Sequence, residues 1–247
     1  MQKGFQDTSS QSQFKGFPNL NFQQANSAYG YSGVAFWLDP AFGLNTQTNL
    51  GAVTRWQSRV GNAVFEQATA SFQPRLILTD ANYNNLPSVE SISGVRFLQS
   101  QTGRGLKYNG NNTIVVVSKV NTSNNTNAIF GTNTGSLFGV VDGGNDAGYN
   151  GFGLLVNSSA ILQGTTETST ARIKIITNTD VIVNGSVETT GTNTKNVYDF
   201  ENIFRCANSS QHNLIGTIAE IIVFNYSMTS TEATDLSNRI NQKYALY

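Results

Sequence analysis

Asp199 and Glu201, in the string Asp199-Phe200-Glu201, are the one pair of acids in this chain spaced i, i+2. That spacing puts two carboxylates on one face of a strand. Two carboxylates held about 5 Å apart across a sugar are what a retaining glycosidase needs. The pair sits beside a polar turn, so a solvated turn is the preferred reading and a hydrolytic site the alternative. The other acids Glu66, Glu90, Glu167, Glu188 and Glu220 stand alone in sequence. Glu188 or Glu220 could meet another acid only across strands.

Other chemistry is sparse. His212 is the single histidine, in Ser209-Ser210-Gln211-His212-Asn213, and reads as a turn residue. No G-x-S-x-G elbow marks a nucleophile, and a zinc site lacks its Cys/His cluster. Cys206, the single cysteine, reads as a small buried apolar residue and excludes an intrachain disulfide. Asp142-Gly143-Gly144-Asn145-Asp146 offers oxygen ligands from Asp142, Asn145 and Asp146. Without the spacing and final Glu of an EF-hand it reads first as a turn. No cofactor is expected, and calcium is the one metal considered. Sugar binding calls for aromatic rings beside amides. Asp146 with Tyr149 and Asn150, and Tyr83 with Asn84 and Asn85, supply that combination.

The elements that must carry these residues are mostly strands. Val34–Asp39, Ala52–Trp56, Val95–Leu98, Ile114–Val120, Ala128–Gly131, Leu137–Val141, Phe152–Val156, Arg172–Thr177, Asp180–Val183 and Ile218–Phe224 are apolar runs bounded by polar turns. Asn184-Gly185 is a hairpin signal, because both residues tolerate positive φ. One helix follows. Thr229 and Glu232 have the spacing of a capping box. Ala233, Leu236, Ile240 and Tyr244 share one face, and Arg239 and Lys243 suit the negative end of the helix dipole. A helix this short must dock to persist. Trp37, Trp56, Phe97, Ile222 and Phe224 are expected in the core.

The 247 residues fit one large β domain. Charged residues are 12%, with 15 basic against 15 acidic. No net field steers the chain to nucleic acid or an anionic membrane. Met1–Asp7 has no apolar h-region, so no cleaved export signal is expected, and no run reaches transmembrane length. Residues 1–33 carry spaced aromatics, Phe5, Phe14, Phe17, Phe22, Tyr29 and Tyr31, among Gln, Asn, Ser and Gly. They read either as a docking arm for a neighbouring subunit or as a leader whose rings wrap the parent domain.

In order along the chain, several strings resemble the concanavalin A-like lectin/glucanase superfamily, in its laminin-G-like and pentraxin-like branch. They are Trp37-Leu38-Asp39; Trp56 to Asn62, which keeps the Trp and Gly-Asn of a W-x-D-x-S-G-N pattern but not its Asp and Ser; Gln67-Ala68-Thr69 with Pro74; Gly94-Val95-Arg96-Phe97 with Leu106; Asn184-Gly185; and Gly216 with Glu220–Phe224 and Lys243-Tyr244. The resemblance covers residues 34–247. It implies an all-β, antiparallel two-sheet jelly-roll sandwich with one short C-terminal helix, preceded by the arm. Hydrolases of that superfamily commonly carry E-x-D-x-x-E on one strand, and no such string occurs here.

Sandwiches of this kind are frequent in phage structural proteins. The expectation is therefore a non-enzymatic virion protein of a tailed bacteriophage, a compact capsid or tail decoration held by its arm. Its partners would be other virion proteins and further copies of itself, with cell-surface glycans as a further ligand. The alternatives are a carbohydrate-binding adhesin module and a glycan hydrolase of the same fold.

Overall fold

The computed structural model describes residues 27–100, 106–108, 111–121, 127–132, 138–142, 151–156, 159–166, 169–190, 198–206 and 213–247. In chain order the strands are β1 (Ser27–Ala28), β2 (Tyr31–Ser32), β3 (Val34–Leu38), β4 (Arg55–Gln57), β5 (Val64–Glu66), β6 (Arg75–Asp80), β7 (Leu86–Ser91), β8 (Leu98–Ser100), β9 (Leu106–Tyr108) and β10 (Thr113–Val120). They continue as β11 (Ala128–Gly131), β12 (Phe138–Asp142), β13 (Gly151–Val156), β14 (Ser159–Thr166), β15 (Arg172–Ile176), β16 (Asp180–Val183), β17 (Ser186–Thr190), β18 (Tyr198–Phe200), β19 (Asn202–Ile203) and β20 (Gly216–Phe224). The chain closes with the helix α1 (Ser230–Tyr244).

These strands form two antiparallel eight-stranded sheets. The first runs β17-β16-β15-β10-β20-β7-β6, with β3 also on β20; the second runs β14-β13-β12-β11-β19-β8-β5-β4. β9 pairs with β18, and β1 with β2. The facing sides of the two sheets share one apolar interior that includes Val116, Ile176 and Ile221 from the first and Phe65, Phe130, Val140 and Leu154 from the second. This is the all-β, antiparallel sandwich expected of the chain.

A second apolar layer covers the outer side of the first sheet. Val115, Ile173, Ile222 and Phe224 meet Ala233, Leu236, Ile240 and Tyr244 of α1, the face that helical spacing picks out. The capping box is complete: the Thr229 hydroxyl accepts from the Glu232 amide, and the Glu232 carboxylate accepts from the Thr229 amide. At Asn184-Gly185 both residues have positive φ, 48° and 77°, which closes the β16–β17 hairpin.

The sequence-based strands hold with shifts of a residue or two, apart from two. Ala52–Trp56 shortens to a bridge at Ala52 and the strand β4. Val95–Leu98 is a turn until Leu98, because Val95 and Arg96 donate their amides to the carbonyl of Ser93. Of the expected core, Trp56, Ile222 and Phe224 are fully buried. Trp37 and Phe97 are only half-buried; Arg59 lies over the Trp37 ring and Arg205 over the Phe97 ring.

The long strand β20 organises the first sheet. One edge lies along β10. Its other edge is shared end to end by β7, on Gly216–Ile218, and β3, on Ile221–Phe224. Ala219 and Glu220 fall in the gap between them. Opposite the gap, Val117 pairs with Glu220 and Ser118 with Ile218, so Ala219 is the extra residue of a bulge. The bulge turns Ala219 and Glu220 to the same side, and that side faces α1.

Candidate functional site

Register in the second sheet lines up residues on its outer face. Arg55 pairs with Glu66, Glu66 with Gln99, Gln99 with Asn202, Asn202 with Gly131, and Gly131 with Gly139. Directly opposed residues share a face. The neighbours Trp56, Phe65, Leu98, Ile203, Phe130 and Val140 point the other way, into the interior. The result is a row across β4, β5, β8, β19, β11 and β12 that is polar at one end and glycine at the other.

The polar end is open. Arg55 and Glu66 are exposed and lie 3.7 Å apart as an ion pair, and Gln99 is half-buried. Asn202 is fully buried: it donates Nδ2 to the Thr132 carbonyl at 3.1 Å, while its Oδ1 accepts nothing among the described residues. A Cβ on Gly139 would lie 2.5 Å from the Phe130 carbonyl oxygen and 2.9 Å from the Cys206 sulfur, so the chain there leaves no room for a side chain. Cys206 packs with Ala128 and Val141 as a small apolar residue.

Aromatic residues flank the polar end, just before β8. Phe97 stacks at 5.9 Å on Phe72, whose ring is 38% exposed. The Arg205 guanidinium sits 4.5 Å from the Phe97 centroid, and burial pulls its pKa below the ordinary value. The Phe97 amide donates to the Phe72 carbonyl at 3.0 Å, and Gln73 donates its side chain to the Gln67 carbonyl at 2.9 Å. These bonds tie the two rings to the end of β5 and the start of β8. Amides, a guanidinium and an exposed ring close together are the means by which proteins hold a sugar; here Phe97 itself also packs against the interior. Glu66 is the one carboxylate among the residues of that row.

The residues singled out from sequence go elsewhere. Tyr83 is fully buried under α1: its hydroxyl meets the Thr217 hydroxyl at 2.8 Å and its ring meets Tyr244 edge-on at 6.1 Å. It has no ring face for a sugar. Asn84 takes a left-handed conformation and donates its amide to the Lys243 carbonyl at 3.3 Å, at the end of α1. Tyr83-Asn84 therefore anchors the helix instead of forming a sugar site. Asp142 lies in the sandwich interior, not on a loop surface, with its carboxylate against the Lys174 ammonium. That cation removes it from any calcium site. Asn145, Asp146, Tyr149, Asn150 and His212 lie outside the described residues, as does the side chain of Asp199. Among the described residues no cluster of acids, His or Cys could hold a metal.

Of the arm, Phe5, Phe14, Phe17 and Phe22 lie outside the described residues. Tyr29 and Tyr31 belong to the β1–β2 hairpin, which folds onto its own α1. Tyr31 donates its hydroxyl to Asp235 at 2.8 Å, and Arg239 donates to the Tyr29 carbonyl at 3.3 Å. At these two residues the rings wrap the parent domain.

Sequence reasoning also missed Glu220, read as an isolated acid. It is fully buried and accepts from Tyr29 (2.7 Å), Trp37 Nε1 (2.7 Å), Tyr244 (3.0 Å) and Lys243 (3.4 Å). Its signal was a charge inside the apolar run Ile218–Phe224. Burial, and then the Glu220 charge, raises the pKa of both Tyr29 and Tyr244 well above the ordinary value.

The described residues thus form a sandwich with a polar, aromatic-edged outer face. No family model matches the chain, and no curated protein matches it in sequence. Solved structures do. Domain 4 of AbnA, a GH43 extracellular arabinanase from Geobacillus stearothermophilus in complex with arabinotriose, is 17% identical, with a TM-score of 0.51 over 70% of this chain and 82% of that one. Trypanosoma rangeli sialidase in complex with sialic acid is 12% identical, with a TM-score of 0.52 over 87% of this chain. A GH54 α-L-arabinofuranosidase soaked with a cyclic sulfate inhibitor is 10% identical, with a TM-score of 0.54 over 89% of this chain. The chain spans 34% of the sialidase and 61% of the arabinofuranosidase. At such identities the likeness shows the fold alone, a β-sandwich that also occurs in carbohydrate-active proteins.

Proposed function

We propose that this sandwich is a non-catalytic carbohydrate-binding module of the concanavalin A-like, laminin-G-like kind. Its ligand lies on the outer face of the second sheet, across Arg55, Glu66 and Gln99 and against Phe72. The observation that carries this reading is the register row, which brings the polar side chains of Arg55, Glu66 and Gln99 from three strands onto one open face, with the exposed Phe72 close by in the fold. The arabinotriose held by a domain of similar fold supports a neutral oligosaccharide as the first ligand to try. The lone carboxylate of the row supports binding without turnover. The virion setting expected from sequence places such a module on a capsid or tail, as a decoration or an adhesin among other virion proteins.

Titration calorimetry with arabino-oligosaccharides and a glycan array tests the module. Binding lost in Gln99→Ala with the fold intact is the expected result. Release of reducing sugar, abolished by Glu66→Gln or Glu201→Gln, would instead establish the hydrolase alternative. Mass spectrometry of purified virions tests the setting, and absence of the chain from them overturns it.

A further inference from the structure

Lys174 and Asp142 come from opposite sheets and meet in the sandwich interior. Lys174 lies in β15, with Val116 and Val183 as its cross-strand neighbours, and both of those belong to the apolar interior. Asp142 ends β12, opposite Phe152. Both side chains are fully buried, and Nζ of Lys174 is in direct contact with Oδ2 of Asp142. The Ser118 hydroxyl lies 3.3 Å from that Nζ and 3.4 Å from that Oδ2. The Phe152 ring centroid is 5.9 Å from Nζ. Oδ1 of Asp142 has no hydrogen-bond partner among the described residues.

A buried ion pair gains stability only when its remaining lone pairs and protons are satisfied. Here one carboxylate oxygen is left without a donor, in a setting where buried polar atoms are normally bonded. Condensation removes that oxygen or its twin as water and removes both charges from the apolar interior. Groups locked in contact can react with effective molarities of roughly 10⁵ M or more.

We propose that Lys174 and Asp142 condense into an intramolecular isopeptide bond that joins the two sheets. The ammonium passes a proton to the carboxylate across their contact, giving an amine and a carboxylic acid. The nitrogen lone pair attacks Cγ, and an N–C bond forms. The C–OH bond then breaks, and its oxygen leaves as water with a proton from the nitrogen. Ser118 Oγ touches both atoms and relays that proton. An ammonium and a carboxylate become one amide and one water, and nothing is oxidised or reduced. The finished bond closes a loop between positions 32 apart in sequence.

Intact mass under denaturing conditions tests this on the full chain. The wild-type protein is expected one water lighter than its sequence, and a protease digest is expected to yield a branched peptide carrying both segments. Asp142→Asn makes the same bond by releasing ammonia, so its product has the same mass as the cross-linked wild type. Lys174→Met keeps its full sequence mass. A wild-type chain at full sequence mass overturns the proposal without any variant having to fold. Loss of water that persists in Lys174→Met overturns it too.

Discussion

Trp37 donates its indole N–H to the carboxylate of Glu220 at 2.7 Å, in the gap where β3 and β7 part along β20. The same carboxylate accepts from Tyr29 of the hairpin and from Tyr244 and Lys243 of α1. A single buried acid therefore fastens sheet, helix and hairpin together. Glu220→Ala strands the indole N–H and two phenols in an apolar layer and should cost about 3–5 kcal/mol, the range for breaking a buried charged contact. Glu220→Gln keeps the shape and one acceptor and should cost about 1–3 kcal/mol. Denaturant titration followed by tryptophan fluorescence measures both.

The tyrosines of this layer set the alkaline limit. Tyr29 and Tyr244 are raised well above the ordinary value of 10.0, first by burial and then by Glu220. Tyr31 is pushed up to about 12, first by burial and then by its hydrogen bond to Asp235. A folded pKa above the unfolded one means that stability is fully present below pH 10 and is lost as pH rises through the folded value. Phenolate absorbance should show these three ionising well above pH 10, Tyr31 at about pH 12, together with loss of the fold. Phenolate formation by all nine tyrosines of the chain near pH 10, with the fold intact, would contradict it.

The helix was legible to the residue, because capping and one-sided apolar spacing are local signals. So were β10, β11, β16 and most of β20, where the apolar runs are long. Strands β6, β7, β14 and β17 were not read. Pro87 interrupts β7, and β14 and β17 carry polar residues such as Gln163, Thr165, Glu188 and Thr190 that look like turns. The polar row was invisible because it is a product of register: Arg55 and Asn202 are 147 positions apart (202 − 55) and share a face only once four strands lie side by side. Tyr83 and Asn84 misled for the converse reason. Their composition suits a sugar, but burial under α1 decides their role.

Thr229→Ala removes the acceptor for the Glu232 amide and half of the capping box. It should cost about 1 kcal/mol. The loss should appear in thermal unfolding and leave the second sheet, and any ligand on it, unaffected.

Gly139→Ala should cost about 1–3 kcal/mol through overpacking. The nearest atom, at 2.5 Å, is the backbone oxygen of Phe130, which cannot rotate away. Truncating Cys206, the next contact at 2.9 Å, should therefore fail to restore stability in a double variant. A double-mutant cycle by chemical denaturation distinguishes this from a clash with the sulfur alone.

Phe72 separates ligand binding from stability. Phe72 is 38% exposed, and its ring lies against Phe97, which directly precedes β8. Phe72→Ala removes a ring that is only partly covered, so stability should fall by about 1–2 kcal/mol, less than for a fully buried phenylalanine. A packed aromatic pair contributes about 0.5–1.5 kcal/mol beyond its area, and a ring on a sugar face is expected to contribute a similar amount. Affinity for an arabino-oligosaccharide should therefore fall by roughly threefold to tenfold, at 1.4 kcal/mol per factor of ten. Phe97→Ala should do the reverse in part. It is half-buried beneath Arg205 and packs against the interior, so its loss should reach about 2 kcal/mol of stability and release the guanidinium from its seat. Calorimetry and denaturation run on both variants read the two quantities separately. Equal affinity in wild type and Phe72→Ala would remove the ring from the site and move the ligand elsewhere on the sandwich.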